Sequence, residues 1–176
     1  MPFVLRKIRK AKWYKHENVP WLKADELQAD ALGDLYTENN ALFVWFVTND
    51  KSNLQRVAAA LAGNCEYLSN LDYALLNIEL IADLNMKMVQ KAGDSADETA
   101  NSSWHYDLTE LSAVNLIALA KMIFTRGESL RYSEKEICRF LAQGISLKQL
   151  DRTKIKLRPE AMAKIDALIP LNRLDV

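Results

Sequence analysis

The run Ala41-Leu42-Phe43-Val44-Trp45-Phe46-Val47 constrains the fold more than any other stretch of this chain. Side chains alternate along a strand, so Phe43, Trp45 and Val47 share one face and Leu42, Val44 and Phe46 the other. Both faces are apolar, which places the strand centrally in a sheet covered on both sides. Glu38-Asn39-Asn40 ahead of it is turn chemistry. A second strand is expected over 3–9, where β-branched and aromatic residues mix with bases, and a short third one over 13–16.

The remaining pattern is helical. Leu27, Ala31 and Leu35 space a short helix within 22–35. Ser52 and Gln55 form a capping box for a helix closed by Gly63. Leu68, Leu71, Leu75, Ile78, Ala82, Met86 and Val89 predict one long helix over 67–92, apolar nearly all round except for a strip of Asp72, Glu79 and Asp83. Asp107 with Glu110 predicts the start of a third helix over 108–125, ended by Gly127. Ser133 with Glu136 caps a further one, and Pro159 opens the last. The fold class is therefore α+β: a small N-terminal sheet, strands near 3–9 and 41–48, packed by long helices and followed by a compact helical C-terminal tail. Gly127 is the expected boundary between a core domain, 1–126, and a helical subdomain, 127–176.

Charge is sorted along the chain. The formal net charge is +6 over 1–16, −11 over 17–120 and +5 over 121–176, which cancel to zero. Separated charges of this kind seek neutralisation within the fold, across an interface or on a polyanion. The basic arm holds Arg6, Lys7, Arg9, Lys10, Lys12 and Lys15 around Trp13, Tyr14 and His16. Bases neutralise phosphates and rings stack on nucleobases, so the arm is the candidate binding surface: Arg6, Lys7, Arg9, Lys10, Lys12, Trp13 and Lys15. The competing readings are a solvated edge strand and an arm lying on the acidic middle of its own chain or a neighbour's.

Three constellations invite chemistry. Asp72, Glu79 and Asp83 offer oxygen ligands for a hard cation such as Mg²⁺, or salt bridges to Lys and Arg. His105 beside Asp107, with Ser102 and Ser103 close in sequence, has the residue types of a hydrolase, but triads assemble from distant segments, and Asp107 reads more simply as a helix cap. Leu141 to Leu150, LAQGISLKQL, resembles the first helix and turn of response-regulator-type helix-turn-helix domains. That resemblance implies a recognition helix beginning near Pro159. Lys154 and Lys156 interrupt the apolar positions such a domain needs, and its Thr-Val pair is missing, so the chain is assigned to no family.

No P-loop, dinucleotide fingerprint, HExxH or zinc spacing occurs. Two cysteines outside any metal-type spacing read as free thiols. No signal-peptide-like or membrane-spanning run is present in the sequence, which points to a cytoplasmic protein without a membrane role. The expectation is a non-catalytic accessory or adaptor protein acting through protein–protein contact, with a homodimer through the long apolar helix as one form of it. No cofactor and no bound metal are expected. The alternatives are nucleic-acid binding through the basic arm, the tail or both, and a metal-assisted hydrolase using Asp72, Glu79, Asp83 and His105.

Overall fold

Strand β1 (Phe3–Ile8) and strand β2 (Leu42–Val47) form where the alternation demands, and they pair antiparallel with Leu5 opposite Trp45. The computed structural model describes residues 1–13, 21–23 and 26–169. In chain order the other elements are α1 (Lys10–Trp13), a 3₁₀ turn (Ala29–Asp34), α2 (Leu54–Gly63), β3 (Leu71–Asn77), α3 (Ile78–Ala82) and β4 (Lys87–Gln90). They continue with a π-turn (Ala100–Trp104), β5 (His105–Thr109), α4 (Ala113–Arg126), β6 (Glu128–Tyr132), α5 (Glu134–Ser146), a 3₁₀ turn (Arg152–Lys154) and α6 (Pro159–Asp166). The strands make one antiparallel sheet in the order β4-β5-β2-β1-β3-β6.

Both faces of this sheet are covered, as the two-sided strand requires. On one face Leu5, Trp45, Val47, Leu71, Tyr73 and Leu75 pack with Val57 and Ala58 of α2, Ile137 and Leu141 of α5, and Ile165 of α6. On the other, Val4, Ile8, Leu42, Val44, Leu76 and Leu108 pack with Trp13, Leu35 of the 3₁₀ turn, Ile81 of α3, and Leu119 and Ile123 of α4. Successive residues of each central strand alternate between these two cores. The fold is α+β, with strands at 3–8 and 42–47 where the sequence put them. Past Gly127, β6 pairs with β3 and α5 packs on the same core, so 128–146 shares its sheet and interior with the preceding chain.

Several expected elements differ. The long helix over 67–92 is a strand, a short helix and a strand: β3, α3 and β4. β3 is buried on both faces, and a run apolar on both sides satisfies helical spacing as well as it satisfies a central strand. Asn77 caps α3 by accepting from the Glu79 amide, and Asn85, at φ 53°, turns the chain into β4. The strip Asp72, Glu79 and Asp83 therefore lies on a strand, in a helix and at its end, with no shared face. Asp107 is not a helix cap but a residue of β5; Glu110, at φ 61°, turns the chain out of the strand, and Ser112 with Asn115 makes the capping box of α4. Lys10–Trp13 is helical rather than extended, and 14–16 lies outside the described residues. Within 22–35, the described helical structure is the 3₁₀ turn alone.

Part of the sorted charge is neutralised inside the molecule. Arg9 of the basic arm binds Asp34 at 2.6 Å. Tail cations reach back to the acidic middle: Lys154 to Glu98 at 3.7 Å, Lys156 to Asp94 at 3.2 Å, and Arg158 to Glu66, with its guanidinium also 4.2 Å from the Tyr67 ring centroid. Buried Asp97 accepts both Nε and a terminal nitrogen of Arg56.

Candidate functional site

The sheet forks. β1 runs alongside β3 from Phe3 to Ile8, but its pairing with β2 stops at Leu5 opposite Trp45. Continued by one ladder step, the pairing would set Lys7 opposite Phe43. Instead the Arg6 guanidinium crosses the gap, donating to the Phe43 carbonyl at 2.8 Å and to the Asp34 carbonyl at 2.9 and 3.1 Å. Burial pulls this guanidinium below its ordinary pKa, and the nearby Asp34 charge opposes that fall. In an extended strand a residue's N–H points the same way as its C=O, so the Phe43 amide also faces the fork.

A cleft of about 720 Å³ opens beside the fork. It exists because α2 runs back over β2 and stops at Gly63, leaving the last stretch of sheet face uncovered. Phe43, Trp45 and His105 make its aromatic wall; the His105 ring centroid lies 5.6 Å from Phe43 and 5.0 Å from Trp45. Arg6, Lys7, Arg9 and Lys91 line it against two carboxylates, Asp34 and Asp94, a surplus of two positive charges.

His105 Nδ1 lies 3.0 Å from the Lys91 carbonyl. A carbonyl only accepts, so Nδ1 carries a proton, and in the neutral ring Nε2 is an acceptor. Gly93 packs close behind the ring: a Cβ there would lie 3.1 Å from His105 Cγ and 3.0 Å from Asn101 Oδ1, so a neighbour would have to give by a few tenths of an ångström. Asn101 fixes the wall that carries Gly93, accepting from the Ser95 amide at 2.8 Å and its hydroxyl at 2.7 Å, while the Gly93 amide donates to the Asn101 carbonyl. Asn64, just past α2, donates to the Asp94 carbonyl at 2.7 Å, and its Oδ1 is buried with no hydrogen-bond partner. Lys7 Nζ rests 3.2 Å from Cys65 Sγ; both cysteines are free. Lys91 Nζ is 3.2 Å from Asp107 Oδ2, and the buried Oδ1 of Asp107 has no partner.

The residues singled out in the sequence divide sharply. Lys7, Arg6 and Arg9 line the cleft, whereas exposed Lys10 and half-buried Lys12 lie outside its lining. Trp13 is fully buried, its indole donating to Asp34 Oδ2 at 2.9 Å, so its ring has no face open for stacking. Lys15 lies outside the described residues. The hydrolase constellation is not assembled: His105 is held by the Lys91 carbonyl rather than by Asp107, and the Ser102 hydroxyl lies 2.9 Å from the Glu98 carbonyl. Among the described residues no three His, Cys, Asp or Glu side chains gather in a metal-binding arrangement. Asp72 instead meets Arg131 at 3.4 Å and the Lys10 amide.

The tail contains α5, a turn and α6, but α6 carries Glu160, Lys164 and Asp166, with Lys164 held by Glu134 and Asp166 by Arg152. A helix of that charge is poorly suited to a phosphate-lined groove. Among the described residues no helix is long and apolar enough to cross a membrane. Sequence reasoning missed Asn64, just past α2, and Lys91 and Gly93, which share the loop after β4; they show no motif. The one available signal was the apolar wall of β2, which continues to Phe43 at the strand's start.

No family model, no curated protein and no solved structure matches the chain.

Proposed function

We propose that the protein is a ligand-binding module that takes a small organic anion into the cleft at the sheet fork. The observation that carries this reading is the fork itself. An unpaired strand end, a surplus of two cations and an aromatic wall converge on one concavity of ligand size. Thermal unfolding with millimolar benzoate, inorganic phosphate or phenyl phosphate tests it. A bound anion raises the midpoint with concentration, because it stabilises only the folded state, and Lys7→Ala removes most of the rise. No shift from any of the three overturns the reading.

A second reading keeps the protein–protein contact expected from the sequence and moves its surface to α4. Val114 and Ile117 lie on the outer side of that helix at 77% and 54% exposure, while Leu119 and Ile123 face the core. Exposed aliphatic residues grouped on one helix favour a contact surface. Sedimentation at micromolar and hundred-micromolar concentration tests the homodimer form of this reading. A mass that rises with concentration for the native chain, but not for the Val114→Lys, Ile117→Lys variant, supports it, and a monomer throughout removes it. Nucleic-acid binding by the arm has less support, because the Trp13 ring is buried against Asp34 and the Arg6 guanidinium is taken up by the Phe43 and Asp34 carbonyls.

A further inference from the structure

We infer that the anion suited to this cleft is a nucleoside monophosphate, a phosphate ester joined to a flat nitrogen heterocycle that bears an N–H donor. The inference rests on the small-anion reading above and adds the chemical class of the ligand.

The anionic end follows from charge and donors. The lining carries a surplus of two positive charges, and a phosphate monoester carries about −1.5 to −2 near neutral pH. A simple carboxylate would offset half of that surplus. The fork adds the Phe43 amide, whose ladder partner on β1 is missing. Lys7 keeps donors for the ligand, because a thiol sulfur is a weak acceptor for its ammonium. Asp34 engages Arg9 through Nε, so the guanidinium retains further N–H groups.

The ring end follows from the opposite wall. Phe43 is 37% exposed and sits beside His105 and Trp45, a surface on which a flat ring stacks. One acceptor accompanies it: Nε2 of His105, whose Nδ1 faces the Lys91 carbonyl. A hydrocarbon ring placed there would leave it without a donor, whereas each of the common nucleobases brings an amino or ring N–H to pair with it.

The test uses the unmodified chain, so its outcome does not depend on a variant folding. Titration calorimetry compares the four ribonucleoside 5′-monophosphates with adenosine, inorganic phosphate and phenyl phosphate. At least one nucleotide is expected to bind tenfold or more tightly than phenyl phosphate, adenosine or inorganic phosphate. The His105→Phe variant, which keeps a ring in the wall and removes the acceptor, is expected to lose that preference while still binding phenyl phosphate. If phenyl phosphate binds as tightly as every nucleotide, the heterocycle assignment is overturned and the small-anion reading stands. If the nucleotides and both simple phosphates give no heat beyond dilution, the nucleotide assignment fails, and if benzoate gives none either, the small-anion reading fails with it.

Discussion

Asp34 and Asp107 are buried to the same degree, each side chain at 4% exposure, yet their surroundings are opposite. Asp34 accepts from the Arg9 amide, the Arg9 guanidinium and the Trp13 indole, so both oxygens are engaged. Burial alone would raise its pKa, but those three donors outweigh burial and hold the carboxyl below its ordinary value. Asp107, two residues past His105 on β5, has Lys91 on one oxygen and nothing on the other. A saturated carboxylate ties elements together: here β1, α1 and the 3₁₀ turn. An under-satisfied one beside a cleft marks where the protein's own hydrogen bonding is incomplete. Equal burial therefore does not imply an equal role.

The contrast can be broken most decisively at Trp13. Trp13→Ala removes a fully buried indole and one of the three donors to Asp34, and is expected to cost about 3–5 kcal/mol in urea unfolding. A loss under 1 kcal/mol would mean the Asp34 cluster is not structural.

Acid tests the same cluster without truncating it. The folded pKa of Asp34 lies below the unfolded value of about 3.9, so its contribution is complete above that value and fades as pH falls through the lower folded one. The unfolding midpoint of the native chain is expected to fall as pH drops from 5 to 2.5. In Asp34→Asn that fall is shallower from a lower starting stability, and identical slopes in the two chains would refute the assignment.

Gly93→Ala comes next, at about 1–2 kcal/mol. A methyl group at 3.0–3.2 Å from Asn101 and His105 makes one of them give by a few tenths of an ångström. Its anion affinity should drop with its stability. Unchanged values for both would show that the wall behind His105 yields freely.

The smallest effect is expected from Asp107→Asn, under about 1 kcal/mol, because its partner Lys91 is 65% exposed and solvent screens the pair. If it cost as much as Asp34→Asn, equal burial would after all mean equal role.

The two-faced run 42–47, the basic strand 3–8, the Ser133–Glu136 capping box and Pro159 at the start of α6 were legible because each is a local signal. Leu71–Val89 was not. Its apolar positions serve two separate cores as a strand, and only Asn77 and Asn85 hint at where the chain changes state. The cleft was half legible. Lys7 and Arg9 stood out as bases, and His105 as the ring beside Asp107. Their meeting with Asn64 and Lys91 depends on where α2 stops and where β1 leaves β2, which are matters of tertiary packing. Charge sorting was plain in the sequence, but its resolution by a tail folded back on the middle was one of three readings open there.

The strand order β4-β5-β2-β1-β3-β6 has a consequence for engineering. Among the described residues β1 is the one strand that joins a three-stranded half to a two-stranded half. A chain lacking residues 1–13 would present a slot with ladder groups exposed on both sides, and a synthetic peptide spanning 1–13 would be its matched insert, bringing Trp13 for the pocket around Asp34. The two pieces would make a split pair, whose recombination would report on solution conditions or on fusion partners that bring them together.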